Sequence, residues 1–303
     1  MNSNTTLTTA KSALFDRLID DASMFPPAKL DASHALEAHF RNRESAYHAL
    51  QGRFVVAASR LSELTAALRS EEPLILSVIL DGTDRAADLA AARAARARGM
   101  VVDSFEMRAV TLPFDLAPFA DFAGAAPLAV WIESPFESTW LAPPVQTLGQ
   151  IATMRAAAPA HFTLGAKVRC GGLTASAFPS VDDLAAFIEA AQSDGVAWKA
   201  TAGLHHPIRR RQPETNFVMH GFLNVAIAAY AYYAGVADAA SVRNILREED
   251  PHAFTVDVTH VAWRNVRVGV GAIAAARAAT LRSYGSCSFA EPVDDLRDLG
   301  ILA

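Results

Sequence analysis

The chain has 303 residues, 51% of them hydrophobic and 19% charged, with a formal net charge of −5. That composition suits a globular protein with a sizeable core, and its mild acidity argues against nucleic acid as the main partner, because phosphate backbones call for a basic face. Two cysteines, Cys170 and Cys287, cannot build a disulfide framework, and the start Met1-Asn2-Ser3-Asn4-Thr5-Thr6 lacks the basic and apolar regions of a signal peptide, so the expected setting is cytoplasmic.

Residues 11–24 place Leu14, Leu18 and Ile19 at helical spacing and stop at Phe25-Pro26-Pro27, which reads as a short amphipathic helix ended by a rigid turn. Asp20 and Asp21 then fall at the helix end, where exposed acids are the default. Asp31 or Ser33 caps a second helix running to about Leu50, and residues 1–52 together read as an N-terminal helical extension. From Phe54 the pattern alternates. Strands are expected at 54–58, 74–80, 101–108, 128–133, 162–170 and 196–202, each followed by a helix, the last of them the apolar run from Phe217 to Ala234. That run nearly reaches membrane-spanning length, but His220, Gly221 and Asn224 in its first half suit a buried helix better than a span. A hairpin is expected at 254–257 and 261–264, a helix at 270–281, a last strand over Ser283–Phe289 and a terminal helix after Pro292.

Apolar strands that each lead into a helix mean a parallel sheet covered by helices. Six successive βα units without a second Gly-rich nucleotide fingerprint favour an α/β fold of the (β/α)8 type, a TIM-like barrel spanning 1–303, with a hairpin insertion near the seventh unit.

In such a barrel, chemistry gathers where strands end, and here the strand ends carry charge at one parity: Glu106 and Arg108, then Glu133, then Lys167 and Arg169, then Lys199 and Thr201. A barrel interior is ordinarily filled by Val, Ile and Leu, so these residues are read as a site; the alternative is a self-satisfied ion-pair network. A lysine desolvated beside a second cation loses its proton more readily, and its amine can attack a carbonyl to form a Schiff base. The iminium makes adjacent bonds labile once Glu106, Glu133, His205 or His206 shuttles protons. Arg108, Arg169, Thr201 and Arg209 are candidates to bind an anionic substrate, with Ser286 and Ser288 of the last strand beside Gly285. The stretch thus suits carbon–carbon lysis, dehydration or isomerisation of a small anionic oxo acid or sugar phosphate without a cofactor.

Two short stretches carry resemblances of five or six residues each. Lys199-Ala200-Thr201-Ala202-Gly203 resembles the Schiff-base lysine strand of class I aldolases of the deoxyribose-phosphate type. Asp103-Ser104-Phe105-Glu106-Met107-Arg108 and Tyr284-Gly285-Ser286-Cys287-Ser288-Phe289 resemble the Glu-x-Arg strand and the last strand of type I dehydroquinases, which also carry a lysine on strand six. Both resemblances imply an imine-forming lysine on a barrel strand.

A divalent metal held by Glu106, Glu133, His205 and His206 is the competing reading, which would make the protein an isomerase, class II aldolase or hydrolase. His220 and Asn224 share a helix face near Arg209, Arg210 and Arg211, where an anion has a place at the helix start. Cys170 and Cys287 fall at strand ends, although a free cysteine is ordinarily a small buried hydrophobe. A catalytically silent barrel that binds an anionic metabolite is a third reading. The partners expected are a small anionic substrate and a second copy of the chain, with neither nucleic acid nor membrane.

Overall fold

The N-terminal helix is shorter than its hydrophobic spacing suggests, and the segment after it begins the barrel. Helix α1 (Ala10–Phe15), whose first turn is capped by the Thr9 hydroxyl, ends just before Arg17, which takes a left-handed conformation (φ 53°). The chain then runs straight on as strand β1 (Ile19–Asp21). The structure, a computed structural model, describes residues 9–69, 73–108, 111–124, 126–133 and 142–303.

After β1 come α2 (Ala32–Arg43), β2 (Gln51–Ala57), α3 (Leu61–Ala67), β3 (Ile75–Leu80), α4 (Arg85–Ala97) and β4 (Val101–Arg108). A 3-10 helix over Ala117–Phe122 takes the place of a full helix before β5 (Leu128–Glu133), and α5 (Ala142–Ala157), β6 (Phe162–Arg169), α6 (Val181–Ser193) and β7 (Trp198–Thr201) follow. A small hairpin of β8 (Arg210–Arg211) and β9 (Val218–Met219) precedes α7 (Phe222–Tyr233), which therefore starts later than its apolar run. Next are α8 (Ala239–Arg247), then β10 (Phe254–Val256), β11 (His260–Trp263) and β12 (Val266–Gly269), and finally α9 (Val270–Ala279), β13 (Leu281–Ser286) and α10 (Ala290–Asp298).

Strands β1 to β7 and β13 close into an eight-stranded barrel in the order β1-β13-β7-β6-β5-β4-β3-β2, every pair parallel. The expected (β/α)8 barrel is thus present, with two adjustments. The segment 1–52 is not only a helical extension, because β1 and α2 form the first βα unit and the strand carrying Lys199 becomes the seventh. The insertion between the seventh and eighth strands is a three-stranded antiparallel sheet, β10-β11-β12, rather than a simple hairpin. Helix α7, buried from Phe222 to Ala231, is 12 residues long. At about 18 Å it falls well short of a bilayer. Among the described residues no helix is long and apolar enough to cross a membrane.

Register explains what fills the barrel. Arg108 pairs with Glu133, Glu133 with Lys167 and Lys167 with Lys199, so one hydrogen-bonded row across β4, β5, β6 and β7 carries charge on a single face. The row two residues earlier holds Glu106, Trp131 and Gly165. The Trp131 indole lies against Gly165 so closely that a Cβ there would stand 2.4 Å from the ring and 2.5 Å from the Ala197 carbonyl oxygen. Only glycine fits. The indole therefore packs directly on the Gly165 backbone. Toward the N-terminal ends of the strands, Arg53 and Asp103 are joined by two hydrogen bonds of 2.6 and 3.0 Å.

Candidate functional site: a ladder of charges at the barrel centre

Three carboxylates alternate with three cations inside the barrel. Lys199 Nζ donates to Asp20 Oδ2 at 2.8 Å and to Glu106 Oε1 at 2.6 Å. Lys167 Nζ lies 2.8 Å from Glu106 Oε2 and 2.9 Å from Glu133 Oε2. The guanidinium of Arg169 then reaches Glu133 Oε1 through Nε and a terminal nitrogen, at 3.1 and 3.0 Å. Strand tilt brings Glu106, two residues below the lysines in register, level with both of them. Hydroxyls complete the set: Ser77 donates to Glu106 Oε1 at 2.8 Å, and Ser283 to Asp20 Oδ2 at 2.7 Å. Asp20 Oδ1 accepts the Arg53 backbone N–H.

Burial is nearly complete, Lys199, Glu106 and Asp20 each being 1% exposed and Lys167 and Glu133 each 6%. Burial disfavours charge on Glu106, but Lys167 and Lys199 outweigh it and hold the carboxyl below the usual range. Glu133 is likewise held low against burial by Lys167 and Arg169. Burial lowers the Lys167 pKa, yet Glu106 and Glu133 reverse the balance and raise it. Glu106, Glu133 and Lys167 are thereby each held in the charged form. An ammonium has three hydrogens, and two carboxylates occupy two of them on each lysine, so each retains one for a further acceptor.

The structure joins Glu106, Glu133, Lys167, Arg169 and Lys199 in one network, as the shared parity suggests. Thr201 is half-buried, and in register it stands between Arg169 on β6 and Gly285 on β13. Arg108, the last residue of β4, is exposed. Asp20 and Ser283 were not among the expected site residues. Asp20 was hidden because a helix was expected across it, and Ser283 because it differs in parity from Ser286, the serine singled out on that strand. Asp21, the next residue of β1, faces outward and meets His39 of α2 at 2.9 Å.

Other expected site residues are engaged elsewhere. His205 Nδ1 lies 3.0 Å from Glu291 and His206 Nδ1 2.6 Å from Asp295, both acids on α10. The imidazoles therefore sit against the C-terminal helix while Glu106 and Glu133 are committed to lysines, and the four do not assemble into the alternative metal centre. Among the described residues no group of three His, Cys, Asp or Glu stands so as to hold a metal ion. Arg209 faces Glu249 at 3.5 Å and His220 at 3.4 Å. The Ser286 hydroxyl donates to the Ser288 carbonyl at 2.6 Å, and the Ser288 hydroxyl accepts the Glu291 N–H at 3.1 Å, so both serve the turn into α10.

The start of α7 is no anion site either. Its first N–H groups, on Phe222 and Leu223, already donate to the carbonyls of His206 and Pro207. Asn224 holds this junction together, accepting the Arg209 N–H and donating to the Ile245 and Glu248 carbonyls. His220 is buried neutral: burial pushes its pKa down to about 4, with Nε2 against the Pro179 carbonyl and Arg209 beside Nδ1.

These groups give the acid limb of the stability curve two parts. His220 is depressed in the folded state, so the unfolded chain takes its proton first and stability falls as pH drops from 6.5 toward 4. Glu106 and Glu133 are also depressed, and their contribution, fully present above the unfolded value of 4.5, drains away below it. Lys167 acts at the other end, its contribution being complete below 10.5 and lost as pH rises through its raised value. Urea unfolding at a series of pH values should show a shallow loss below 6.5 that steepens below 4.5. A His220→Gln variant should lose the shallow part alone; a curve flat down to 4.5 in the native protein would contradict the burial of neutral His220.

No protein-family model matches the chain, and no curated protein or solved structure matches it.

Proposed function

We propose that the barrel is a lyase or isomerase that acts on a small anionic oxo acid or sugar phosphate through an imine formed on a barrel lysine. The observation that carries this reading is the pair of lysines on adjacent strands, in register and sharing Glu106 as a common acceptor. A barrel core gains nothing from such a pair, since a buried ion pair is no more stabilising than an apolar packing of the same volume.

The surroundings of the two lysines bear on which is the nucleophile. Lys199, the residue singled out by the sequence, is enclosed by Asp20, Glu106 and their serine, with 1% of its side chain exposed. The Lys167 side chain retains 4% exposure and shares Glu133, the last residue of β5, with the partly exposed Arg169. We therefore assign the imine to Lys167, with Lys199 as the second cation. Arg169 turns from Glu133 to the substrate's carboxylate or phosphate, and Glu133, released, accepts the Lys167 proton. The free amine attacks the carbonyl, water leaves, and the iminium draws electrons from the neighbouring bond.

Borohydride reduction in the presence of a panel of oxo acids and sugar phosphates, followed by intact mass and peptide mapping, tests this. A reduced adduct on the peptide carrying Lys167 is the expected result. An adduct on Lys199 moves the nucleophile, and no adduct across the panel favours the second reading, a silent anion-binding barrel, which the mutual pairing of the charges supports. Metal content of the purified protein separates both from a metal-dependent enzyme.

A further inference from the structure

We propose that Thr201 and Gly285 complete an anion cradle with Arg169 and that the substrate is a 2-oxo acid whose carboxylate fills it; this deepens the imine reading above and rests on it. Arg169 on β6 is in register with Thr201 on β7, and Thr201 with Gly285 on β13. The three form the next row beyond Lys167 and Lys199 toward the C-terminal ends of the strands. Side chains alternate along a strand, so Arg169 and Thr201 share the inward face of the two lysines, and Gly285 that of Ser283.

Each member of that row is open where the row below is closed. The inward serines Ser77 and Ser283 are engaged with Glu106 and Asp20, whereas the half-buried Thr201 hydroxyl has no hydrogen bond among the described residues. The Arg169 side chain, 31% exposed, gives Nε and one terminal nitrogen to Glu133, which leaves the rest of its N–H fork for another acceptor. At Gly285 a Cβ would meet nothing nearer than Thr201 Oγ1 at 3.7 Å and Ala22 Cβ at 3.8 Å, and the backbone there is not left-handed. Neither packing nor conformation therefore calls for glycine. Its effect is to leave, beside the free Thr201 hydroxyl, a space that a side chain would fill.

Glu133 sets the spacing that the substrate must match. Its Oε1 lies 3.0 Å from a terminal nitrogen of Arg169 and its Oε2 2.9 Å from Lys167 Nζ, so a single carboxylate spans the guanidinium and the ammonium. A 2-oxo acid offers the same pattern, with a carboxylate oxygen and a carbonyl oxygen on adjacent carbons. It can take Glu133's place, its carboxylate on Arg169 and Thr201 and its carbonyl at Lys167. A sugar phosphate holds its phosphoryl group several bonds from the carbonyl and overspans the pair. Released Glu133 takes one proton from Lys167, and the amine nitrogen bonds to the carbonyl carbon as the C=O electron pair moves to oxygen. One amine proton and the proton on Glu133 then leave with that oxygen as water, while the iminium nitrogen keeps the last proton and the positive charge.

Oxamate has the shape of a 2-oxo acid, but its amide carbonyl forms no imine, so calorimetric titration of the whole chain with oxamate measures the cradle alone. One saturable site is expected. Thr201→Val should weaken binding about tenfold, the effect of losing a hydrogen bond to a charged group. Gly285→Ala should weaken it at least as much, because the added methyl occupies the cradle, yet it meets only ordinary contacts and leaves the barrel folded, as circular dichroism checks. A native chain that does not bind oxamate at millimolar concentration, or either variant with native affinity, overturns the proposal. Borohydride trapping with pyruvate, levulinate and dihydroxyacetone phosphate tests the spacing, and an adduct from pyruvate alone is expected. Preferential labelling by dihydroxyacetone phosphate overturns the 2-oxo acid and leaves the imine standing. Oxamate binding that depends on Thr201 and Gly285, with no adduct from any of the three, keeps the cradle and removes the imine.

Discussion

Replacing Lys199 with methionine should lower the unfolding free energy by about 3–5 kcal/mol, because removing one member of a buried pair leaves its partner charged and uncompensated. Glu106 would keep Lys167 and Ser77, but Asp20, 1% exposed, would keep only a serine hydroxyl and the Arg53 N–H. The damage should therefore be traceable to Asp20. In a double-mutant cycle, Asp20→Asn should cost much less in the Lys199→Met background than in the native one, with a coupling of about 1–3 kcal/mol. Urea unfolding at neutral pH measures both. A loss below about 1 kcal/mol, the range of an exposed pair, would mean that water reaches these groups and that the ladder is not the dry network described.

Replacing Lys167 with arginine should abolish borohydride-dependent labelling and, once a substrate is in hand, reduce turnover by orders of magnitude while leaving the barrel folded. Arginine keeps the charge that Glu106 and Glu133 need but is never deprotonated in a protein, so it cannot attack a carbonyl. The contrast with Lys199→Arg is informative. If Lys199 acts by its charge, its arginine variant should retain part of the labelling, provided the larger head group fits between Asp20 and Glu106. A Lys167→Arg variant with near-native labelling would exclude Lys167 as the nucleophile.

The barrel was legible in the sequence wherever a strand is buried on both faces, because such strands read as apolar runs bounded by turns and alternate with helices long enough to show their own period. It was not legible at β1. That strand has three residues, two of them aspartates, and the helix before it ends without a glycine, since Arg17 itself takes the left-handed conformation. No local signal separates Leu18 and Ile19 from the helical spacing of Leu14. The charged core was legible in part for a simpler reason: parity along a strand fixes which side chains point inward, so Glu106, Glu133, Lys167 and Lys199 could be grouped before any contact was known. Which charge meets which could not, because partners on β1, β4 and β7 depend on barrel tilt and on β1, a strand without a local signal of its own. The His205-His206 pair misled for a related reason. Its partners lie on α10, almost ninety positions later, and adjacent imidazoles are as well suited to a helix of acids as to a metal.

The seam between β1 and β13 sets a timetable for the molecule. Ser283 and Asp20, which meet across it, are 263 positions apart, and Asp20 and Lys199 are 179 apart. The ring's first strand is consequently made well before its last, and the ring cannot be completed until the last is made. Until then Lys199 and Glu106 have no dry interior to share and remain hydrated. Closure of so long a loop is entropically late, so local βα units form well before it. Shedding of water from the central charges and their mutual neutralisation thus coincide with the final act of folding, and refolding of a variant that keeps Trp131, two residues before Glu133 on β5, as its one tryptophan reports that moment by fluorescence.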